Sequence, residues 1–279
     1  MGYYQEVVVK PLEELANSGI GKLREISQER INNIYLFETG SNVFVTSVHH
    51  ANEIYGTWQS VVQSLSSGIK IDAVPVVNTE GFDDMYKKIE DFKKIVCNNK
   101  GSIDNFLYES LAGGYKGEGR SQIIYPSWSK WNYGGTICKK QSSSLEIEKM
   151  VANSSIVIDI HNQSSDSYLL IVNETESRFQ SDVEEIIKKV IRRNENKLDE
   201  MDHYGYSNLR EGVYTNTSKI MSLTNFAGKL GLANIVLEVP SFTTDKKGHL
   251  VLLDQPRITD TNVEILSRIA EYANQFVKT

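Results

Sequence analysis

Val43-Phe-Val-Thr-Ser-Val-His-His-Ala-Asn-Glu53 is the stretch that decides how this chain folds. Its first half is rich in β-branched and aromatic residues, the composition of a buried strand. After Glu53, the apolar residues Ile54, Trp58, Val61, Val62 and Leu65 share one helical face, and Ser66-Ser-Gly68 ends the pattern. A strand therefore runs into a helix, and His50 and Glu53 sit at the junction. Just upstream, Ile34-Tyr-Leu-Phe37 reads as a strand paired with Val43–Val48 around the turn Glu38-Thr-Gly-Ser-Asn42.

The same alternation continues outward. Ile71-Asp-Ala-Val-Pro-Val-Val77 reads as a strand, and Ile156-Val-Ile-Asp-Ile160 is the nearly continuous apolar run of a strand buried on both faces, delivering His161 at its end. Ala233-Asn-Ile-Val-Leu237 does the same for Glu238. Phe179, Val183, Ile186, Ile187, Val190 and Ile191 mark an amphipathic helix, and Val263, Leu266, Ile269, Ala273 and Phe276 or Val277 a closing one. The region from Asn78 to about Lys140 is rich in Gly, Asn, Ser and aromatics. It reads as long loops with a short helix over Asp83 to Val96. Strands alternating with helices imply an α/β fold of α/β/α layers around a mixed, mostly parallel sheet. In such folds ligands gather beyond the carboxyl ends of the strands, where His50, His161 and Glu238 all fall.

A length of 279 residues without repeats or a long linker is read as a single domain spanning 1–279. The formal charge of −6 with no basic stripe to offset it argues against a nucleic-acid partner. Lys188-Lys189 and Arg192-Arg193 lie on a helical pattern and read as a solvated face. The start, Met-Gly-Tyr-Tyr-Gln-Glu, lacks the pattern of a secretion signal, and no apolar run spans a bilayer, so the expectation is a cytoplasmic protein without membrane contact. Cys97 and Cys138 are read as free thiols.

Two imidazoles and a carboxylate can hold Zn²⁺ with a position left open, while a further carboxylate moves the proton of water made acidic by the metal. His50, Glu53 and His161 supply the first set and Glu238 the second. Each has a plain structural reading beside it: Glu53 at a helix N-terminus, His161 as a core histidine, Glu238 in a salt bridge. His49 neighbours His50, but side chains adjacent on an extended chain point to opposite faces, so one of the two faces the metal, and His50 keeps the spacing to Glu53. Asp159 reads either as support for His161 or as a polar strand end. His203 and His249 lie in polar, turn-rich segments and read as surface residues. Arg120, in Gly117-Glu-Gly-Arg-Ser-Gln, is the only arginine between Arg30 and Arg178. It reads as the binder of a substrate carboxylate or as a surface residue. Tyr214 reads as a residue reaching a substrate amide, or as a loop aromatic packed on the core.

In their order these segments resemble the zinc metallocarboxypeptidases typified by the pancreatic enzymes and their bacterial relatives. Val45-Thr-Ser-Val-His-His-Ala-Asn-Glu53 is similar to the strand and His-x-x-Glu that supply two zinc ligands. Val74-Pro-Val-Val-Asn-Thr-Glu-Gly-Phe82 resembles the Pro-x-x-Asn-Pro-Asp-Gly stretch, and Ser144-Leu-Glu-Ile-Glu148 resembles a helix start. Ile158-Asp-Ile-His-Asn162 is similar to the segment of the third ligand, and Asn234-Ile-Val-Leu-Glu238 to the strand ending in the catalytic glutamate. Tyr214 lies upstream of Phe226-Ala-Gly-Lys-Leu-Gly231 as the family's mobile substrate tyrosine does. The resemblance covers roughly Ile34 to Ser241. It departs in one respect: the family has an Asn-Arg pair for the substrate carboxylate and a separate arginine for the scissile carbonyl, whereas this span offers Arg120 alone, with Lys93 or Lys94 as stand-ins for the second.

The resemblance implies one zinc ion held by His50, Glu53 and His161, with Glu238 as proton shuttle and Arg120 and Tyr214 at the substrate. It implies a hydrolase of an amide bond at or near the carboxyl end of a peptide or amino-acid conjugate. Two other readings stand beside it: an N-acyl amino-acid deacylase of the aspartoacylase and succinylglutamate desuccinylase type, and a metal-binding protein without catalysis.

Overall fold

The structure is a computed structural model that describes residues 2–28, 33–49, 53–79, 82–83, 142–163, 165–173, 177–199, 206–210, 212–216, 223–244 and 250–276. Its centre is β5 (Ile156–Gln163), in which every residue but the last is buried. β5 pairs in parallel with β3 (Val43–Ser47) on one side and with β10 (Ala233–Pro240) on the other. A third parallel neighbour, β4 (Asp72–Val74), lies beyond β3. A strand enclosed on both edges and both faces is nearly continuously apolar, which accounts for Ile-Val-Ile-Asp-Ile, where the one charged residue, Asp159, lies against His49 and His161.

Antiparallel strands extend this parallel centre. Beyond β4 come β2 (Asn33–Glu38) and β1 (Lys22–Gln28). Beyond β10 come β6 (Ser167–Val172), β9 (Val213–Asn216) and β8 (Tyr206–Arg210), with β7 (Lys197–Leu198) on β6. Among the described residues the order is β1-β2-β4-β3-β5-β10-β6-β9-β8. The expected pairing of Ile34–Phe37 with Val43–Val48 is therefore corrected, because β4 intervenes between β2 and β3. The turn after Glu38 opens to let it in, held by Asp72, whose Oδ1 accepts from the backbone N–H of Thr39 at 2.6 Å and of Gly40 at 3.0 Å. A separate pair, β11 (Phe242–Thr244) and β12 (Leu250–Leu252), follows β10.

Alternation along the central strands divides the core in two. Val45, Ile158 and Leu237 face one way, against α1 (Lys10–Asn17), α2 (Thr57–Ser66), α4 (Gln180–Arg193) and α6 (Gln255–Phe276). Phe44 and Val157 face the other, against Ile147 and Val151 of α3 (Ser142–Ala152) and Leu223 and Ala227 of α5 (Leu223–Lys229). Helices thus cover both faces of a mixed sheet, the α/β/α arrangement expected. Burying each such Ile or Leu contributes on the order of 1.5–3 kcal/mol. By the same alternation Thr46, Asp159, His161 and Glu238 belong to the second face, at the carboxyl ends of their strands.

Two polar clamps position this end. Tyr55 and Asn162 bond reciprocally, the Tyr55 N–H donating to Asn162 Oδ1 at 2.9 Å and Asn162 Nδ2 to the Tyr55 carbonyl at 2.7 Å. They fasten the segment that carries Glu53 to the end of β5. Asn262 of α6 donates to the Gly56 carbonyl at 3.3 Å and accepts from the Tyr168 hydroxyl at 3.1 Å. Gly56, at φ 76°, makes the turn into α2. A Cβ there would sit 3.3 Å from Ile258 Cγ2 in a backbone conformation that side chains rarely adopt. Among the described residues no helix is long and apolar enough to cross a membrane. The expected helix over Asp83 to Val96, most of the Asn78–Lys140 region, and Cys97 and Cys138 lie outside the described residues.

Candidate metal centre

His161 occupies the middle of the site, and carboxylates flank both edges of its ring. Nδ1 lies 2.6 Å from Glu53 Oε2, and Nε2 lies 3.0 Å from Asp159 Oδ2. The other Asp159 oxygen, Oδ1, accepts from the Thr46 hydroxyl at 2.8 Å and lies 2.9 Å from His49 Nε2. The two imidazoles stack, with ring centroids 5.4 Å apart and planes 16° from parallel. Glu238 stands beside His161 because β10 and β5 run in parallel with these two residues paired in register.

Each position follows from the local chain. Asp159 and His161 are two residues apart on one strand and so share a face. Glu53 precedes α2 instead of capping it: its carbonyl accepts from the Thr57 hydroxyl at 2.7 Å, while its carboxylate turns to His161. His49 is the residue the alternation argument set aside, and it comes to the site because β3 has already ended. Ser47 is its last residue, and Val48 takes φ 54°, a left-handed conformation that is a rare outlier for a β-branched side chain. Such a residue costs on the order of 1–3 kcal/mol and persists only where its surroundings fix it. Here the backbone N–H groups of Val77 and Asn78 donate to the Ser47 and Val48 carbonyls at 3.1 and 2.9 Å, and Asn78 Nδ2 reaches the His49 carbonyl at 3.4 Å.

Electrostatics at the site are dominated by burial and by crowded acids. Burial alone would raise the Asp159 carboxyl, but the neighbouring His49 and His161 outweigh it and hold Asp159 well below the usual range. Burial would lower His161, yet the charges of Asp159 and Glu53 prevail and raise it well above its ordinary value. Desolvation pushes Glu238 up to about 8, with His161 opposing and Glu53 and Asp159 reinforcing the rise. Three carboxylates, those of Glu53, Asp159 and Glu238, thus gather around His161, with the His49 ring stacked on it. A divalent cation relieves that repulsion, and an N/O donor set of imidazole and carboxylate is one that zinc accepts. His49, Asp159 and His161 can each offer one ligand atom within 4.8 Å of the others, so a metal site is supported by geometry as well as by charge.

A pH dependence follows for the metal-free protein. Protonated His161 contributes stability that is complete below the ordinary imidazole value of 6.5 and lost as pH rises through its higher folded value. Asp159, held low, contributes stability that is complete above 3.8 and lost on acidification. Glu238, ionising near 8 when folded against 4.5 when unfolded, lowers stability progressively across that interval. In the presence of chelator the melting temperature is therefore expected to be highest at roughly pH 4–6 and to fall toward pH 8, with zinc reversing the fall. Thermal melts from pH 4 to 9 with chelator and with zinc check this, and a chelated protein whose Tm climbs from pH 6 to 8 contradicts it.

Of the residues singled out in the sequence, Glu53 and His161 meet directly and Glu238 stands alongside. His50, Arg120, Lys93, Lys94, His203 and His249 lie outside the described residues. Tyr214 differs from its expected place in a loop at the substrate. It lies within β9, wholly buried beside Leu169 and Ile171, and its hydroxyl donates to the Asp199 carbonyl at 3.4 Å. The reason is that Val213–Asn216 pairs with β6 on one side and β8 on the other, making its aromatic part of the core.

No protein-family model matches the sequence, and no curated protein shows significant similarity to it. Solved structures do share its fold. Bovine thrombin-activatable fibrinolysis inhibitor, solved with tick carboxypeptidase inhibitor, superimposes with a TM-score of 0.57 over 100% of this chain and 98% of that one, at 16% identity. Carboxypeptidase A from Helicoverpa armigera superimposes with a TM-score of 0.55 over 98% of this chain and 73% of that one, at 14% identity. The chain has the carboxypeptidase-like α/β/α fold, and identities this low speak to the fold alone.

Proposed function

We propose that the chain is a zinc hydrolase that cleaves an amide bond at or near the carboxyl end of a peptide or amino-acid conjugate, with residues 1–279 forming one catalytic domain. The observation that carries this reading is His161 held between two carboxylates, with Glu238 beside it on the next parallel strand. His50, Glu53 and His161 would hold one Zn²⁺ per chain. When bound, the ion supplies a Lewis acid that polarises the scissile carbonyl and makes water acidic.

The protein's own groups do the rest. Burial and the neighbouring acids hold the Glu238 carboxyl above its ordinary range in the metal-free protein. With a cation bound nearby its charged form would be favoured, and the carboxylate would take a proton from the attacking water and return it to the leaving amine. Asp159 keeps the His161 ring in one orientation. Arg120 binds the substrate carboxylate through its planar fork or polarises the carbonyl.

A second reading draws on the arginine count. With Arg120 alone between Arg30 and Arg178, a small N-acyl amino acid is an alternative substrate to a peptide end. Incubation with peptides, their C-terminal amides and N-acyl amino acids, followed by mass spectrometry, separates the readings. Release of the C-terminal residue from free acids but not amides is the expected result. Release of the acyl acid would select the deacylase, and no turnover in any set would leave a metal-binding protein without catalysis.

A further inference from the structure

We propose that His49 is a positioning residue of the metal centre: it holds Asp159 against the Nε2 edge of His161 and so turns the Nδ1 lone pair of that ring toward Glu53. The inference rests on the metal-site reading above and adds a residue that the His-x-x-Glu pattern does not contain.

The two edges of the His161 imidazole face different partners. A histidine ligand can give a metal only one nitrogen, and the group on the other nitrogen decides which one is free. At His161 the Nδ1 edge meets Glu53, a proposed ligand, at 2.6 Å, and the Nε2 edge meets Asp159 at 3.0 Å. Asp159 therefore keeps the proton on Nε2 and leaves Nδ1 to coordinate. A carboxylate so deeply buried needs partners for both oxygens. Oδ2 has His161; Oδ1 has the Thr46 hydroxyl at 2.8 Å and His49 Nε2 at 2.9 Å. Thr46 reaches Oδ1 from β3 and His49 from the bend that follows it, so in the proposal His49 is the second anchor of this oxygen.

The backbone is shaped for this contact. His49 follows directly on Val48 at φ 54°, the conformation that ends the alternation of β3 and lets the ring stack on His161. Asn78, itself buried, bonds to the backbone on both sides of the bend, to the Val48 carbonyl through its N–H and to the His49 carbonyl through its side chain. His49 and Asp159 thus stand together beside His161.

The test measures zinc affinity by competition with a chromophoric chelator, and the visible spectrum of the Co²⁺-substituted protein. It compares the parent with His49→Ala, His49→Gln, Asp159→Asn and a double variant carrying both His49→Ala and Asp159→Asn. His49→Ala and Asp159→Asn are each expected to weaken zinc binding about 10- to 100-fold. The double variant should lose little more than either single one, because both substitutions remove the same constraint. His49→Gln, whose amide nitrogen reaches close to the position of the imidazole Nε2, should recover most of the affinity. The Co²⁺ bands should keep their position in His49→Ala, since the coordinating atoms are unchanged. Parental affinity in His49→Ala, or losses in the two single variants that simply add, overturns the proposal. So does a shifted Co²⁺ spectrum with no rescue by Gln, which would make His49 a ligand. Failure of the parent itself to bind either ion overturns the metal-site reading and this proposal with it, a result distinct from any difference between variants.

Discussion

Glu238→Gln is expected to keep zinc and lose turnover by about 10²- to 10⁴-fold, the usual contribution of a positioned general base. The loss should fall on kcat, with KM little changed, because an amide occupies the same volume but cannot accept the proton. The same substitution has a second consequence that does not depend on knowing the substrate. The Glu238 carboxyl ionises near 8 because desolvation, Glu53 and Asp159 all disfavour its charge. A neutral isostere removes that cost, so the metal-free variant should melt higher than the metal-free parent at pH 8.5 and alike at pH 5. Parental turnover in the variant would return Glu238 to a structural role. A variant that melts lower at pH 8.5 would mean that the charge is compensated by a partner such as a cation.

His161→Ala carries the second large effect. His161 joins the Glu53 side of the site to the Asp159 side, and its loss would remove a proposed ligand and leave buried carboxylates without the imidazole between them. Zinc affinity should fall by more than the roughly 10- to 100-fold typical of losing an outer partner of a ligand, to the point where the purified variant retains little metal. Elemental analysis after gel filtration gives the answer: close to one zinc per parent chain and a small fraction of that in the variant. Full occupancy in His161→Ala would remove His161 from the ligand set.

What the sequence made legible, and what it hid, have physical causes. β5 and β10 were readable because buried central strands are mostly apolar, and Ile156–Ile160 and Ala233–Leu237 each carry a single polar residue, Asp159 and Asn234. α4 and α6 were readable from their apolar stripes, although α6 begins at Gln255, well before the first apolar residue used to find it. β6 and β9 went unread, and with them the place of Tyr214: Ser167–Val172 is a short apolar run that periodicity alone does not assign, and a four-residue strand between two partners looks like a loop. The pairing of β2 with β3 was misread because strands adjacent in sequence are commonly neighbours in space, and here β4 enters between them.

The site shows the same division. That Glu53, His161 and Glu238 come together was legible because their positions follow from strand ends and spacing. His49 was set aside by an argument valid for extended chain, and the extended chain stops one residue too soon. Valine is among the least expected residues for a left-handed conformation, so nothing in the composition of Val48 announced the bend; only the hydrogen bonds from Val77 and Asn78, distant in sequence, make it visible.

In the proposed function the carboxylates and imidazoles gathered around His161 hold a metal that the hydrolysis requires. Turnover of an N-acylated dipeptide, followed before chelation, after removal of metal, and after return of one equivalent of zinc, tests it most directly. Activity that disappears with the metal and returns with zinc in proportion to the ion bound is the predicted result, whereas undiminished turnover in metal-free protein would contradict it.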